Sequence, residues 1–209
     1  MKTEVYPPTR QEQPWKKMNL KSLIARFQLS HQKGGLQFGK FDFPDSLKSP
    51  KHILVCLPDG LRELTLVKQF LPMLGETFRS ADITLLAMPG VRVSDIYPRK
   101  GFNILSPSAE QVTWTGLAKK SFLKLLSDYK FDMIIDLNFE NSQFTSSVLL
   151  NFPNAVRVGK GNHRGEPFYN LEIKTRYLRD ERNIYKSLFD TLGAIKTGRT
   201  PSTTLHPNP

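Results

Sequence analysis

The sequence predicts a three-layer α/β/α domain built around a doubly wound, mostly parallel sheet. Two runs, at residues 53–57 and 83–88, are apolar at nearly every position, which is typical of strands buried on both faces. Apolar residues recur every three or four positions over residues 64–78, which indicates an amphipathic helix between them. Strands that alternate with helices form parallel sheets covered by helices on both faces, so these patterns together predict the fold class.

The N-terminal segment, residues 1–50, is predicted to be a basic arm that carries one short helix. Residues 1–15 are polar, contain three prolines and are predicted to be disordered. Residues 16–29 have the spacing of an amphipathic helix with basic flanks. Its apolar residues are Leu20, Leu23, Ile24 and Phe27. Two interpretations stay open: the helix packs on its own domain, or it lies on a membrane surface or a partner protein.

The main domain is predicted to span residues 51–196. The sequence predicts further strands at residues 102–105, 133–137 and 156–158, and further helices at residues 114–129, 146–152 and 178–192. Gly193 is predicted to end the last helix, because glycine commonly follows a helix C-terminus. Residues 197–209 have no periodicity and are predicted to be a mobile, disordered tail.

Charge is the main compositional signal of the chain. Its 209 residues fit one domain, and 39% of them are hydrophobic, which is enough for a core. The 30 Lys and Arg against 19 Asp and Glu give a net charge of +11, which favours anionic partners. Candidates are a phosphorylated glycan or glycolipid, a membrane surface and nucleic acid. Only the charge supports nucleic-acid binding. No known nucleic-acid-binding motif is found, so we expect no specific nucleic-acid partner.

Cofactor and metal sites are not predicted. The loop at residues 57–64 has a single glycine, so it is neither a dinucleotide-binding turn nor a P-loop, and we expect no cofactor. Four scattered histidines and one cysteine do not make a metal-binding set, so we expect no metal. The single cysteine, Cys56, lies in an apolar run and is predicted to be a buried thiol rather than a reactive one.

Targeting signals are also not found in the sequence. No apolar run approaches the roughly 20 residues that a membrane-spanning helix needs. The N-terminus has no apolar segment of the kind that signal peptides carry. We therefore expect a cytoplasmic protein, with peripheral contact to the inner membrane as an open alternative.

In open α/β sheets, ligands bind beyond the carboxyl ends of the strands. Asp136 closes a buried strand, where it would either hold neighbouring loops by hydrogen bonds to their N–H groups or touch a ligand. The most basic stretch at this edge is residues 157–164. Its cationic or titratable residues, predicted to bind phosphate or carboxylate groups, are Arg157, Lys160, His163 and Arg164. The alternative is an ordinary solvated basic loop.

Three segments combine into a pattern with a known counterpart. Residues 130–138 read Lys-Phe-Asp-Met-Ile-Ile-Asp-Leu-Asn, residues 155–159 read Ala-Val-Arg-Val-Gly, and residues 164–170 read Arg-Gly-Glu-Pro-Phe-Tyr-Asn. A strand that ends in Asp-Leu, a strand with Arg-x-Gly and a turn that ends in Tyr-Asn resemble family 9 glycosyltransferases. These are the heptosyltransferases that build the lipopolysaccharide inner core. The resemblance covers about residues 50–195.

The resemblance implies the fold of the N-terminal, acceptor-side half of a GT-B glycosyltransferase, in which the basic loop faces an anionic glycolipid of the Kdo–lipid A type. In that family a Gly-Asp pair follows the first strand, and its Asp acts as the base on the acceptor hydroxyl. The aligned pair here is Arg62-Glu63, which makes Glu63 the candidate base and Arg62 a candidate acceptor contact. From the residues alone, Glu63 is also explained as a first-turn helix acid, and Asp59 as a second acid or a helix N-cap.

Two classes of function follow from these expectations. The chain is either a glycosyltransferase-like protein of lipopolysaccharide or envelope glycan assembly, or a non-catalytic module that binds an anionic ligand, a lipid surface or a protein. The resemblance stops where a nucleotide-sugar domain would begin, so we expect no sugar transfer by the chain alone. A glycosyltransferase-like chain of this kind would be either degenerate, a pseudoenzyme, or dependent on a partner protein that supplies the donor domain.

Overall fold

A parallel sheet forms the centre of the molecule. The computed structural model describes residues 20–37, 39–93, 96–97, 101–140, 142–160, 168–175, 177 and 180–198. Its strands are β1 (His52–Cys56), β2 (Asp82–Leu86), β3 (Asn103–Leu105), β4 (Met133–Asp136), β5 (Val156–Lys160) and β6 (Leu171–Ile173). They pair in the order β3-β2-β1-β4-β5-β6, and every neighbouring pair is parallel. The predicted fold class, a doubly wound α/β/α sheet, is therefore confirmed.

Helices cover both faces of the sheet. The α-helices in the described residues are α1 (Leu20–Gly34), α2 (Leu61–Thr77), α3 (Lys120–Ser127), α4 (Gln143–Leu150) and α5 (Glu181–Thr197). Side chains alternate along a strand, so each strand contributes to two cores. Ile53 and Val55 pack with residues of α2 and α5 on one face. Leu54 and Cys56 pack with residues of α3 and α4 on the other.

Cys56 lies in β1, which has β2 on one side and β4 on the other. Its side chain is buried in the core below α3 and α4, as the apolar run around it predicts. Burial raises the pKa of the thiol, and the charge of Asp136 adds to the rise. A thiol that stays protonated and enclosed is a weak nucleophile, so Cys56 belongs to the core.

The predicted elements differ from the structure at three places. β6 was not predicted, because its sequence, Leu-Glu-Ile, is short and mixed in polarity. The predicted helix at residues 114–129 is shorter, since residues before Lys120 form a turn closed by a bridge between Val112 and Ala118. Gly193 does not end α5: the helix continues to Thr197, where the partly buried Ile195 still packs on the core.

The N-terminal helix α1 packs on its own domain, but not through the predicted side. Ala25 and Leu29 are buried against Leu117 and Leu150, and α1 contacts α4. Three of the residues predicted to form its packed face remain exposed: Leu20, Leu23 and Phe27. Within the described residues, no helix combines the length and the hydropathy that crossing a membrane requires.

Candidate functional site

The strand order places a crevice above the centre of the sheet. β1 and β4 are neighbours, and the chain runs from β1 towards β3 on one side and from β4 towards β6 on the other. The loops that leave the carboxyl ends of β1 and β4 therefore diverge, which is the arrangement that binds ligands in open α/β sheets. A cavity of about 400 Å³ lies there, bordered by both loops, by the end of β5 and by the first turn of α5.

Acidic residues outnumber basic ones in the described walls of this crevice. Carboxylates come from each bordering segment except β5: Asp59, Glu63, Glu140 and Glu181. Lys160, at the end of β5, is the one basic residue among the described lining residues. A chain with a net charge of +11 thus presents carboxylates at the position where the fold predicts ligand binding.

Glu63 stands in the first turn of α2, and its position depends on Gly60. Gly60 is the N-cap residue of α2, so Asp59 is not the cap and instead lines the crevice. A Cβ on residue 60 would lie 1.8 Å from Oε2 of Glu63, so the carboxylate folds back over the Gly60 backbone. The partial positive charge of the helix N-terminus favours an acid at this position.

Arg62 lies at the crevice rim rather than inside it. Its side chain is largely exposed, and its Nε lies 3.3 Å from Oε2 of Glu181. That oxygen is enclosed, yet it accepts no hydrogen bond within the described residues. The Arg62 guanidinium is therefore near enough to attract the charge of Glu181, but its N–H groups do not point at Oε2 and form no hydrogen bond to it.

An aromatic pair forms another wall of the crevice. The rings of Phe139 and Tyr185 are 4.4 Å apart between centroids and 27° from parallel, and Lys160 Nζ lies 5.2 Å from the Phe139 centroid. The Tyr185 hydroxyl donates to the carbonyl oxygen of Leu137 at 3.1 Å. Burial raises the pKa of Tyr185, and the charge of Glu63 adds to the rise, so the hydroxyl remains a donor.

Asp136 ends β4, two residues before the crevice-lining Asn138, and is almost completely buried. Its Oδ1 accepts a hydrogen bond from the N–H of Asn138 at 2.9 Å, and its Oδ2 accepts one from the Tyr169 hydroxyl at 2.6 Å. These bonds tie the end of β4 to the loop after it and to the segment before β6. The carboxylate thus acts in the described structure as a tether between two segments at the carboxyl edge.

The position of the Tyr169 ring depends on Gly159, which has no side chain and so leaves room for the ring. A Cβ on Gly159 would lie 2.4 to 2.7 Å from three ring atoms of Tyr169. The ring therefore occupies the space above β5 that any larger residue would need. The Arg-x-Gly and Tyr-Asn segments of the family pattern meet at this contact.

Arg157 is buried, with 2% of its surface exposed, although it carries a full charge. Its Nη1 donates to the carbonyl oxygens of Phe152 and Pro153, at 2.9 and 3.0 Å. Its Nε donates to the carbonyl oxygen of Phe168 at 3.1 Å. Backbone oxygens hold these donors in the described structure, and binding of an anionic ligand by Arg157 stays a prediction. A buried charge needs such partners, and here they join the segments that lead into β5 and β6.

The remaining predicted residues separate into two groups. Lys160 lies in the crevice, together with Glu63. His163 and Arg164 lie outside the described residues. Glu140 and Phe139 were missed, although the loop after β4 was expected to border a ligand. Glu181 and Tyr185 were missed because they belong to a helix, and only loops follow directly from the strand-end rule.

Metal binding has no support in the described part of the chain, where no group of three or more His, Cys, Asp or Glu side chains is arranged to hold an ion.

The fold has counterparts among solved structures. The crystal structure of a glycosyl transferase family 9 protein from Veillonella parvula DSM 2008 superposes with a TM-score of 0.51 and 17% identity, over 70% of this chain and 42% of that one. The chain shares its fold with family 9 glycosyltransferases. E. coli heptosyltransferase WaaC, solved with ADP-2-deoxy-2-fluoro heptose, matches with a TM-score of 0.46 and 14% identity, over 73% of this chain and 50% of WaaC.

The likeness is structural and partial. The chain spans half of the length of these two glycosyltransferases or less. No protein-family model matches the sequence, and no curated protein sequence matches it.

Proposed function

We propose that this domain binds a glycan in the crevice between the β1 and β4 loops, acts in lipopolysaccharide or envelope glycan assembly, and does not transfer sugar by itself. The observation that carries the proposal is the lining of the crevice, where carboxylates stand beside an aromatic wall. The shared fold with family 9 glycosyltransferases supports the link to glycan chemistry.

The lining suits a ligand rich in hydroxyl groups. Ionised carboxylates only accept hydrogen bonds, and hydroxyl groups that donate to them form short, charge-assisted bonds. The stacked rings of Phe139 and Tyr185 add apolar surface beside the carboxylates, and such mixed linings are typical of small-molecule sites. Like-charge repulsion from Asp59 and Glu140 disfavours a phosphate deep in the crevice. Lys160 provides a place for one anionic group of the same glycan.

The proposal that transfer does not occur rests on Glu63. A general base must come within hydrogen-bond reach of the hydroxyl that it deprotonates. Glu63 lines the crevice, but its carboxylate folds back over Gly60 in the first turn of α2, so that its Oε2 faces the protein backbone rather than a ligand. The pair Arg62-Glu63 also stands where family 9 enzymes have Gly-Asp, so a longer acid follows a bulky residue.

Binding is tested by titrating core oligosaccharide, prepared from lipopolysaccharide and dephosphorylated, into native protein and a Phe139→Ala variant. We expect Phe139→Ala to weaken binding about ten-fold, because a lost aromatic contact contributes roughly 0.5–1.5 kcal/mol beyond its burial. Leu125→Ala, an exposed residue on α3, is the matched control and should bind like native protein. Equal affinity of the native and Phe139→Ala proteins, both with native melting curves, would remove the crevice from the proposal.

The phosphorylated oligosaccharide tests Lys160. Lys160→Met should reduce the affinity for the phosphorylated form alone, since that residue is the described cation of the crevice. A loss of affinity for both forms would show that Lys160 supports the wall rather than an anionic group.

Transfer is tested separately with nucleotide-sugar donors and the same oligosaccharides. We expect no turnover by the isolated chain. Turnover that disappears in Glu63→Ala would overturn the non-catalytic part of the proposal and would make Glu63 the base.

A further inference from the structure

An exposed apolar stripe runs along α1, on the side away from the domain. Leu20, Leu23 and Phe27 are 67%, 40% and 74% exposed. At 3.6 residues per turn they fall within about 60° of one another around the helix axis. The opposite side, with Ala25 and Leu29, is the one that packs on the domain. The stripe therefore belongs to a helix whose inner side is already occupied.

A second exposed aromatic residue lies in a turn that contacts α1. Gln28 of α1 accepts a hydrogen bond from the Thr115 hydroxyl at 3.3 Å, which brings the turn before α3 against the helix. The neighbour of Thr115 in that turn, Trp114, is 63% exposed. We call the stripe and Trp114 together the α1 surface.

The charge around the α1 surface has one sign. Residues 20–34 and 112–127 contain no aspartate or glutamate. Their basic residues, all exposed in the structure, are Lys21, Arg26, Lys33, Lys119, Lys120 and Lys124. On the helical wheel Arg26 lies about 80° from the middle of the apolar stripe, whereas Lys21 lies nearer the packed side, about 40° from Ala25. A basic residue beside an exposed apolar stripe is a feature of helices that lie in a membrane interface.

We infer that the α1 surface docks on an anionic lipid bilayer, independently of what the crevice binds. Tryptophan and phenylalanine insert at the boundary between headgroups and acyl chains, while flanking lysines attract anionic lipids. A second copy of the chain would bring the same basic flanks together, and like charges oppose that contact. Residues 1–19, with four basic residues against two acidic ones, carry the same sign and are disfavoured as a cover for the same reason.

The test is sedimentation of the full chain with vesicles, either of phosphatidylcholine alone or with phosphatidylglycerol. The native protein should partition to the anionic vesicles. Phe27→Glu should lower that partition coefficient about ten-fold or more, because burying one large side chain changes an equilibrium by at least that factor. Its melting curve should stay native, since Phe27 is exposed.

Leu61→Glu is the matched control, because Leu61 is 70% exposed on α2 and receives the same charge change. It should keep nearly the native partition. Equal losses in both variants would mean that net charge alone drives the association, and this would overturn the inference. Native protein that does not sediment with anionic vesicles, or a concentration-dependent dimer that Phe27→Glu abolishes without any vesicle effect, would overturn it as well.

Discussion

Gly159 shows how one missing side chain organises the carboxyl edge of the sheet. The Tyr169 ring fills the space above this glycine, and the Tyr169 hydroxyl reaches Asp136 at 2.6 Å. Asp136 in turn accepts a hydrogen bond from the N–H of Asn138, a crevice-lining residue of the loop after β4. A substitution at residue 159 therefore acts on the crevice through two hydrogen bonds, without touching a ligand.

We predict that Gly159→Ala lowers the free energy of unfolding by about 1–3 kcal/mol, the usual cost of overpacking a core. The added Cβ would meet the Tyr169 ring, which cannot move without breaking its bond to Asp136. Gly75→Ala is the matched control, because its Cβ would meet only Phe102, at 3.8 Å, within helix α2. That change should raise stability by about 0.5–1 kcal/mol. Denaturant unfolding of both proteins measures the difference, and a neutral Gly159→Ala would refute the contact.

At the scale of single residues, the sequence showed which residues matter better than it predicted what each of them does. Arg157, Gly159 and Tyr169 stood out because of the family pattern, but residue type alone assigned Arg157 to an anion. A guanidinium binds carbonyl oxygens and phosphate with the same donors, so sequence cannot distinguish a buried tether from a ligand contact. The deciding facts, burial and the positions of carbonyl oxygens, come from chain segments that meet only in the folded domain.

Helix α5 shows why element boundaries are harder to predict than elements. Gly193 and Gly198 both follow apolar periodic positions, and the first was predicted to be the stop. The helix passes Gly193, because a glycine is tolerated inside a helix and Ile195 beyond it still packs on the core. A Cβ added at Gly193 would meet only Thr77 Oγ1, at 3.8 Å, so an alanine fits there. Gly198 has φ of 67° and ψ of 17°, the left-handed conformation that ends helices.

We predict opposite effects for the two glycines. Gly198→Ala should lower the free energy of unfolding by about 1 kcal/mol, because a Cβ is strained in the left-handed region. Gly193→Ala should raise it by about 0.5–1 kcal/mol, the gain from replacing glycine inside a helix. Thermal or denaturant unfolding compares both with native protein. Effects of the same sign would place the end of α5 elsewhere.

The strands also include some that the sequence predicted and one that it missed. β1, β2 and β4 were predicted because consecutive apolar residues leave few alternatives to a strand buried on both faces. β6 was missed because it is an edge strand of three residues, whose pairing with β5 is specified by tertiary contacts rather than by its own pattern. The face of α1 that packs was also missed, since Ala25 is small and the larger Leu23 and Phe27 dominate the periodic pattern.

The whole molecule has a positive net charge, whereas acidic side chains predominate over basic ones in the described walls of its crevice. The total of +11 predicted an anionic partner, but the total has no direction, and the described crevice gathers carboxylates from distant parts of the chain. The basic residues concentrate elsewhere, including the α1 surface. The composition therefore gives the sign of the total charge but not where on the molecule each sign is concentrated.

Buried tyrosines give the molecule a predictable response to alkali. Burial raises the pKa of Tyr97 and Tyr185 above the ordinary value, and their hydroxyls donate to carbonyl oxygens of Leu64 and Leu137. An acid whose pKa is raised by folding stabilises the protein fully below its unfolded pKa. That contribution is lost as pH rises above about 10, where unfolded tyrosine ionises.

We predict that the free energy of unfolding falls as pH increases beyond about 10, and that Tyr185→Phe makes this fall shallower. The unfolded state loses the tyrosine proton first, so it binds fewer protons than the native state and is favoured by alkali. Tyr129→Phe, on an exposed side chain, is the matched control and should keep the native slope. Denaturant titrations across the alkaline range measure these slopes, and identical slopes for all three proteins would contradict the prediction.

The single cysteine makes the chain its own reporter of core opening. Cys56 sits in a strand with neighbours on both sides, and residues of two helices cover its side chain, so a thiol reagent reaches it only when those helices leave the sheet or the domain unfolds. No other thiol competes for the label, because the sequence has one cysteine. The labelling rate of unmodified protein therefore measures how often its centre opens, and a ligand that closes the crevice should slow that rate without any engineered probe.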